Sequence, residues 1–555
     1  MPNLKGLQAL AQLLPDNQLN KDIPETNGSP DTDPEEIPMM YRAQIHGRCS
    51  LHYAGKKNQD LDVWLEEWTN SELQQSPRYQ HQEPEIGWNG NVYRIKVEFP
   101  WRLFSNCGQD SIARPVIGKN GIPFIPGSSV KGLFRRICDD AQLTKYCGDK
   151  QDLNPSSVGF RFHGAYPIGD WCDRIGDVVH PQQPRQVEHA SGGSAFALIS
   201  LYKPQMIFEF SASKHNQVDW EEVRKLLQSA LKQGIGGKTS TGYGMGGHEP
   251  EETSAYPSSV RMVRLTGVGM KSTLRTSEAE FRPNLFKATL RSHTRRLLGG
   301  VCSDKDLVNT EVARLFGGPD GPGTVQIVWQ EENNTTDQNS HYEISGILRL
   351  CDNSPNHGST DDVVFIYRVL QFAYTMGGFG KSWRRVWHRK FYADYKKLNQ
   401  FDIGCHWESK HIPSAQSPEG LTTSLNDLVQ NCQDVIRATN RAASWAESWH
   451  PRRVAVFSGL TSSSAAIRLF HYETFKKTIA IGGREPHSNN LNVSSVWHRM
   501  LPVSKNQYLE IVTIFYGNLN VWKHRQEGNQ LAAFIQSLES NGLQLTWGTS
   551  PSHLS

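Results

Sequence analysis

A loop of five glycines, one lysine, three hydroxyl residues and a tyrosine, Gly234-Ile-Gly-Gly-Lys-Thr-Ser-Thr-Gly-Tyr-Gly244, constrains this chain more than any other stretch. Glycines let the backbone take φ > 0 and let another backbone come close, so the segment reads as a bent loop. Lysine, hydroxyls and free amides are what a phosphodiester chain needs from a protein. The design returns at Gly377-Gly-Phe-Gly-Lys-Ser-Trp-Arg-Arg385. Upstream of each copy stand the same pieces in the same order: strand, loop, basic helix, long insertion, strand, helix. Such an order repeated in one chain is an internal duplication.

The first chemistry to test is a nucleotide-binding P-loop, GxxxxGK[ST]. Gly237-Lys238-Thr239 supplies its ending, but the opening glycine falls on Lys232, and for Gly380-Lys381-Ser382 it falls on Thr375. Both loops follow a helix, whereas a P-loop precedes one. The ATPase reading fails on spacing and on context. A helix C-cap followed by a glycine turn explains Gly234. It does not explain the lysine, hydroxyls and tyrosine that follow, or their recurrence; a polyanion cradle explains both.

Charge asks where such a polyanion is held. The 555 residues carry a formal net charge of only +3 and a pI near 8.3, so any nucleic-acid surface must be a local concentration of charge. The length has room for roughly two or three domains. With a mean hydropathy of −0.55, no apolar run approaches the roughly 20 residues that span a bilayer. Residues 1–20 lack the pattern of a signal peptide, and the nine cysteines are scattered singly, Cys138 and Cys147 being the nearest pair. The expectation is a cytoplasmic protein with reduced thiols and no membrane partner. Cys172, His163, His180 and His189 match no common zinc-ligand spacing and are assigned no metal.

Taken in order, residues 1–38 read as a flexible tail, with a short amphipathic helix over 3–14 and a Pro-, Asp- and Gly-rich tether after it. Val92–Phe99 alternates apolar and polar residues as a half-buried strand does. Ser128 is placed as the N-cap of a helix whose Val130, Leu133, Phe134 and Ile137 make a buried stripe, with Lys131 and Arg135 facing out. A helix N-terminus with hydroxyls and nearby cations is an anion site. Asn154–Ser194 reads as a long loop. Met206–Ser211 is a strand, and Asp219 caps a helix over Trp220–Leu231. The polar break at Glu249–Pro257 divides the folded part into residues 39–255 and 256–555. In the second unit Val260–Gly267 is a strand. Arg282–Leu298 is a helix closed by Gly299, with Phe286, Leu290 and Leu297 buried and Lys287, Arg291 and Arg295 along one outer stripe. Gly317–Ser340 is a hairpin region, and Val363–Met376 a helix running into the second glycine loop.

After Lys381 the chain turns basic and aromatic, through Trp383, Arg384, Arg385, Trp387, His388, Arg389, Lys390, Tyr392 and Tyr395. Cations on phosphates and rings on bases suit single-stranded nucleic acid. A solvated basic helix with core tryptophans has the same composition.

Ile125-Pro-Gly-Ser-Ser-Val-Lys-Gly-Leu-Phe-Arg135, paired with the loop Gly234–Gly244, resembles the RAMP (repeat-associated mysterious protein) superfamily, the backbone subunits of type III CRISPR effector complexes. Glu278–Arg291 and Gly377–Arg385 look like the corresponding motifs of the subunit that caps one end of Cmr-type complexes. Val493–Met500 and the strand Tyr508–Tyr516 are similar to its C-terminal part. The resemblance implies an α+β chain of two tandem ferredoxin-like, RRM-related domains with long insertions and a helical C-terminal region. It implies antiviral defence as part of a ribonucleoprotein. The partners would be guide (CRISPR) RNA, target RNA, other RAMP subunits and the large subunit of the complex. By position, Asn154–Ser194 and Gly317–Ser340 are the candidates for the thumb-like hairpins of the family. The residues expected on RNA are Ser128, Ser129, Lys131, Arg135, Gly236, Gly237, Lys238, Thr239, Ser240, Tyr243, Arg282, Lys287, Arg291, Gly378, Lys381, Ser382, Arg384 and Arg385. Some family members cut target RNA with an aspartate before a Pro-Val-Ile segment. Here Pro115-Val-Ile117 is preceded by Ala113-Arg114, and Asp110 is the nearest carboxylate. The expectation is a binding subunit. A divalent metal, Mg or Mn, enters only if Asp110 supports cleavage.

Overall fold

The computed structural model describes residues 83–105, 115–116, 122–148, 154–172, 174–179, 187–188, 196–239, 242–246, 260–273, 279–318, 321–335, 341–354, 360–379, 387–398, 404–437, 441–481, 495–524 and 527–551. All lie in one compact unit, residues 50–555. The tail at 1–38 and the break at Glu249–Pro257 lie outside the described residues, as do Asp110, Ser240, Lys381, Ser382, Arg384 and Arg385.

Three antiparallel sheets carry the chain. The first places β1 (Gly87–Asn89), β2 (Val92–Glu98), β3 (Phe160–Ile168) and β4 (Gln205–Ala212) in the order β1-β2-β4-β3, with the short strand Ile125–Pro126 beyond β3. Ile95 opposes Phe208 and Val97 opposes Met206. Helices α1 (Gly127–Ile137) and α2 (Trp220–Leu231) accompany this sheet. Val130, Leu133 and Phe134 of α1 are buried, and the Phe134 ring meets Phe162 edge-on at 5.1 Å, a geometry aromatic pairs favour. Asp219 caps α2 by accepting from the Glu221 and Glu222 amides, as its position just before an acidic first turn dictates.

The second sheet contains β5 (Val260–Met270), β6 (Val325–Thr335), β7 (His341–Asp352) and β8 (Cys405–Glu408) in the order β6-β7-β5-β8. Between β5 and β6 run α3 (Asn284–Val301) and α4 (Lys305–Phe316); α5 (Asp361–Met376) follows β7, and α6 (Pro418–Ile436) follows β8. The third sheet contains β9 (Val454–Thr461), β10 (Val496–Ser504), β11 (Gln507–Phe515) and β12 (Gln544–Gly548) in the order β10-β11-β9-β12. Its helices include α7 (Ala465–His471) and α8 (Leu531–Ser540). Second and third sheets thus share one path, strand–helix–strand–strand–helix–strand, with strand order 2-3-1-4. One apolar core joins Leu265 and Leu348 of the second sheet to Val456 and Trp497 of the third, and takes in Trp101 and Val187 from the N-terminal part.

Four expectations are corrected. Asn154–Ser194 is not simply a loop: its first part is β3, paired along β4. Gly164 and Pro167 mask the strand in the sequence; a bulge falls between Phe162 and Gly164, and Pro167 sits opposite Met206 in regular register. Helix α3 does not close at Gly299 but runs on to Val301. A Cβ at Gly299 would stand 2.4 Å from the Trp445 ring and one at Gly300 2.0 Å from the Trp449 carbonyl. These glycines allow close packing inside a helix rather than ending it. The N-cap of α1 is Pro126, with no side-chain cap, so Ser128 lies within the first turn. The C-terminal region is a mixed sheet-and-helix layer, not a helical one.

Candidate nucleic-acid interface

The glycine loop leaves α2 with the Gly234 amide bonded to the Leu231 carbonyl at 3.0 Å. Gly234 and Gly236 both take φ of +83°, and a Cβ at Gly236 would lie 2.2 Å from the Phe104 carbonyl oxygen. Only glycine fits there. The Gly237 amide donates to Phe104 O at 2.6 Å, Ile235 to Gly244 O at 3.0 Å, Gly244 to Arg102 O at 2.7 Å and Tyr243 to Lys238 O at 3.3 Å. Much of the amide set that the sequence offered to phosphate is therefore spent on shaping the loop and pinning it to the Arg102–Leu103 strand. Lys238 stands out at φ +58°, a left-handed conformation that costs a non-glycine residue on the order of 1 kcal/mol. Burial lowers its ammonium pKa, and the Asp177 carboxylate opposes that effect.

Helix α1 meets this loop through Arg136, whose Nη2 donates to the Gly234 carbonyl at 3.3 Å. Ser128 and Ser129 are exposed on its first turn. Lys131 and Arg135 lie within electrostatic reach of Cys147; a hydrogen bond from Cys138 and these two cations lower the Cys147 thiol against the effect of burial. The helix and the loop are thus adjacent, while Lys238 is in electrostatic reach of Asp177.

Beneath the loop lies a buried charge network. Arg102 Nε and Nη2 donate to the two Glu280 carboxylate oxygens at 2.8 Å each, and its Nη1 donates to Ser200 Oγ at 2.9 Å. Arg282 pairs with Glu280 Oε1 and with Asp177 Oδ1, both at 2.8 Å. The Tyr243 hydroxyl donates to Asp177 Oδ2 at 2.5 Å. Burial, reinforced by Asp177, pushes the Tyr243 phenol well up. Two residues expected on RNA, Tyr243 and Arg282, therefore have intramolecular partners. Glu280 is only two residues from Arg282, but Asp177 and Arg102 had no local signal: the Tyr243–Asp177 and Arg102–Glu280 pairings join positions 66 and 178 residues apart.

On α3, Lys287, Arg291 and Arg295 follow one stripe, half-buried rather than outward. Arg291 Nη1 donates to Gly317 O at 3.2 Å, and Arg295 pairs with Glu188 at 2.5 Å. Lys287 has no carboxylate partner among the described residues. Burial, then repulsion from Arg291, brings its ammonium down to about 7. In the second glycine loop Gly378 has φ +74°, and Trp407 Nε1 donates to the Phe379 carbonyl at 2.6 Å. Of the basic-aromatic run, Trp387, His388, Phe391 and Tyr395 are buried, whereas Arg389 and Lys390 are exposed. Those described rings are core side chains, not a stacking platform. Among the described residues, no three His, Cys, Asp or Glu side chains gather into a metal-binding group, and no helix is long and apolar enough to cross a membrane.

Residues 110–245 match the RAMP superfamily. The match holds both the α1 motif and the first glycine loop. No curated protein matches the chain. Among solved structures, apo Cmr1 from Pyrococcus furiosus is 12% identical over 52% of this chain and 99% of that one, at a TM-score of 0.36. A chain from the type III-B Cmr-beta complex bound to cognate target RNA is 16% identical over 38% of this chain and 70% of that one, at a TM-score of 0.23. Neither likeness assigns a role to a residue.

Proposed function

We propose that this chain is a guide-RNA-binding subunit of a type III CRISPR effector complex, working in antiviral defence beside other RAMP subunits, the large subunit and target RNA. In this reading residues 39–255 and 256–555 are tandem RAMP domains with ferredoxin-like cores, the second region also carrying the third sheet. The observation that carries the reading is the family match over 110–245, which spans the very helix and loop that Arg136 ties together. Exposed Ser128 and Ser129, together with Lys131, Arg135 and Lys238, grip backbone phosphates, which position RNA without reading its sequence. Base pairing by the guide then supplies specificity, as in other RNA-guided systems. The subunit binds rather than cuts.

Salt dependence tests this directly. Removing one cation that neutralises a phosphate reduces the slope of log K against log[salt] by about 0.7 for a single strand. Lys131→Ala and Arg135→Ala should each lower that slope by about this amount and weaken RNAs of different sequence equally. An unchanged slope, or an effect confined to one sequence, contradicts the placement.

A further inference from the structure

The two cysteines nearest in sequence, Cys138 and Cys147, also meet in the fold. Cys138 is the first residue beyond α1, its amide bonded to the Phe134 carbonyl at 2.9 Å. Cys147 ends the helical turn Leu143–Cys147, which packs back against α1. Both are free thiols, Cys138 half-buried and Cys147 buried. The Cys138 thiol donates a hydrogen bond to the Cys147 sulfur. Two sulfurs already in contact are the geometric precondition of a disulfide.

Their charged surroundings set them apart. Burial pushes the thiols of Cys172, Cys351, Cys405 and Cys432 up, and a thiol held neutral in the core is inert. Cys147 moves the other way. The hydrogen bond from Cys138, then Lys131 and Arg135 of α1, favour its thiolate over the effect of burial, and Arg135 also hydrogen-bonds the sulfur. Cys138 keeps the proton: its bond to Cys147, burial, Asp139 and Glu222 all resist its loss. A pair of core thiols needs no cations beside it. A thiolate stabilised by cations, with a second thiol in contact, is the arrangement that oxidises reversibly, because the second sulfur captures the first product before it oxidises further.

We propose that Cys138 and Cys147 form a reversible disulfide with a hydroperoxide as oxidant, and that this bond releases Lys131 and Arg135 to RNA phosphate. Passing the shared proton to Cys147 makes Cys138, the less buried sulfur, the thiolate that attacks a peroxide oxygen. The O–O bond breaks, a sulfenic acid forms on Cys138 and hydroxide leaves. The Cys147 sulfur then attacks Cys138: the S–S bond forms, the S–O bond breaks and a second hydroxide leaves. One hydroxide takes the shared proton and the other takes one from solvent, giving two waters. The two sulfurs lose two electrons and the peroxide gains them. The disulfide carries no charge, so Lys131 and Arg135 lose the anion that competes with phosphate for them. This second half rests on the phosphate contacts proposed above; the disulfide does not.

The full-length chain is treated with hydrogen peroxide, alkylated with N-ethylmaleimide, digested without reduction and mapped by mass spectrometry. The expected result is a Cys138–Cys147 cross-link that precedes oxidation at the other cysteines and is lost on adding dithiothreitol. Cys147→Ser should leave Cys138 as a sulfenic acid that dimedone traps. Affinity for an end-labelled short RNA is read by anisotropy at about pH 8.5, the ordinary thiol pKa, where a lowered thiol is mostly ionised. Oxidation should tighten binding about threefold, the scale of one exposed ion pair, and Cys147→Ser should abolish that response. A native chain that forms no such cross-link, or forms it only in denaturant, overturns the disulfide and leaves the RNA-binding role standing. A cross-link with unchanged affinity overturns the release of Lys131 and Arg135. A cross-linked chain that binds RNA in neither state overturns the RNA-binding role and keeps the redox pair.

Discussion

At the scale of single residues, burial decides what a charged side chain can do. Lys287 was legible in the sequence as a cation on a basic helix; its half-buried setting was not. Its folded pKa is lowered to about 7 from about 10.4 in an unfolded chain. The unfolded state therefore binds its proton more tightly. The sign follows: the stability contribution is intact above about pH 10, falls as pH drops toward 7, and levels off below that. Arg291 deepens the penalty from its own helix, and Glu331 of β6 lines a cavity of about 300 Å³ together with Lys287. Lys287→Met should raise the melting temperature at neutral pH and flatten this pH dependence. A lowered melting temperature would mean that the ammonium has a partner it needs. The reverse case is Glu280, which holds both Arg102 and Arg282. Glu280→Gln leaves two guanidiniums short of their carboxylate, and breaking a buried pair costs about 3–5 kcal/mol. Chemical denaturation should show a loss of that size; a change below about 1 kcal/mol would place the network in the range of surface pairs. Tyr243 and Arg282 illustrate the limit of reading residue types alone. Both have the chemistry of an RNA contact, yet Asp177, far away in sequence, holds both.

At the scale of elements, local signals were reliable where one mechanism acted alone. The Asp219 cap, the alternation of β2 and the end of α5 at Met376 lie where the sequence places them. They failed where tertiary packing overrode a local rule. Gly299 read as a stop signal, but α3 continues because Trp445 and Trp449 pack where a Cβ at Gly299 or Gly300 would stand, and the Ala443 amide bonds the Gly299 carbonyl at 2.7 Å. Helix propensity alone would make alanine better by about 1 kcal/mol at either position. Overpacking opposes it by about 1–3 kcal/mol and should win. Gly300→Ala is predicted to destabilise more than Gly299→Ala, because its Cβ meets the Trp449 carbonyl, backbone that cannot rotate away, rather than a ring. Thermal melts of the two variants rank them, and the opposite order would show that the Trp445 ring is the stiffer neighbour.

At the scale of the whole molecule, the repeated glycine loops drew attention to two units, and the third sheet had no such marker. β9 reads Val-Ala-Val-Phe with all four side chains buried, so the alternation that betrays a half-buried strand is missing. Yet the second and third sheets share strand order and one apolar core, and α3 adds Phe286 and Leu290 to that core while bearing the Lys287 stripe. The second and third sheets thus form one frame, to which Trp101 and Val187 tie the N-terminal part. The most direct test is to isolate the tagged chain from its native cells and sequence the RNA that accompanies it. The account predicts guide RNA, recovered together with other RAMP subunits and reduced when Lys131, Arg135 and Lys238 are replaced by alanine. Recovery of the chain free of guide RNA, or bound to unrelated transcripts in its absence, would contradict it.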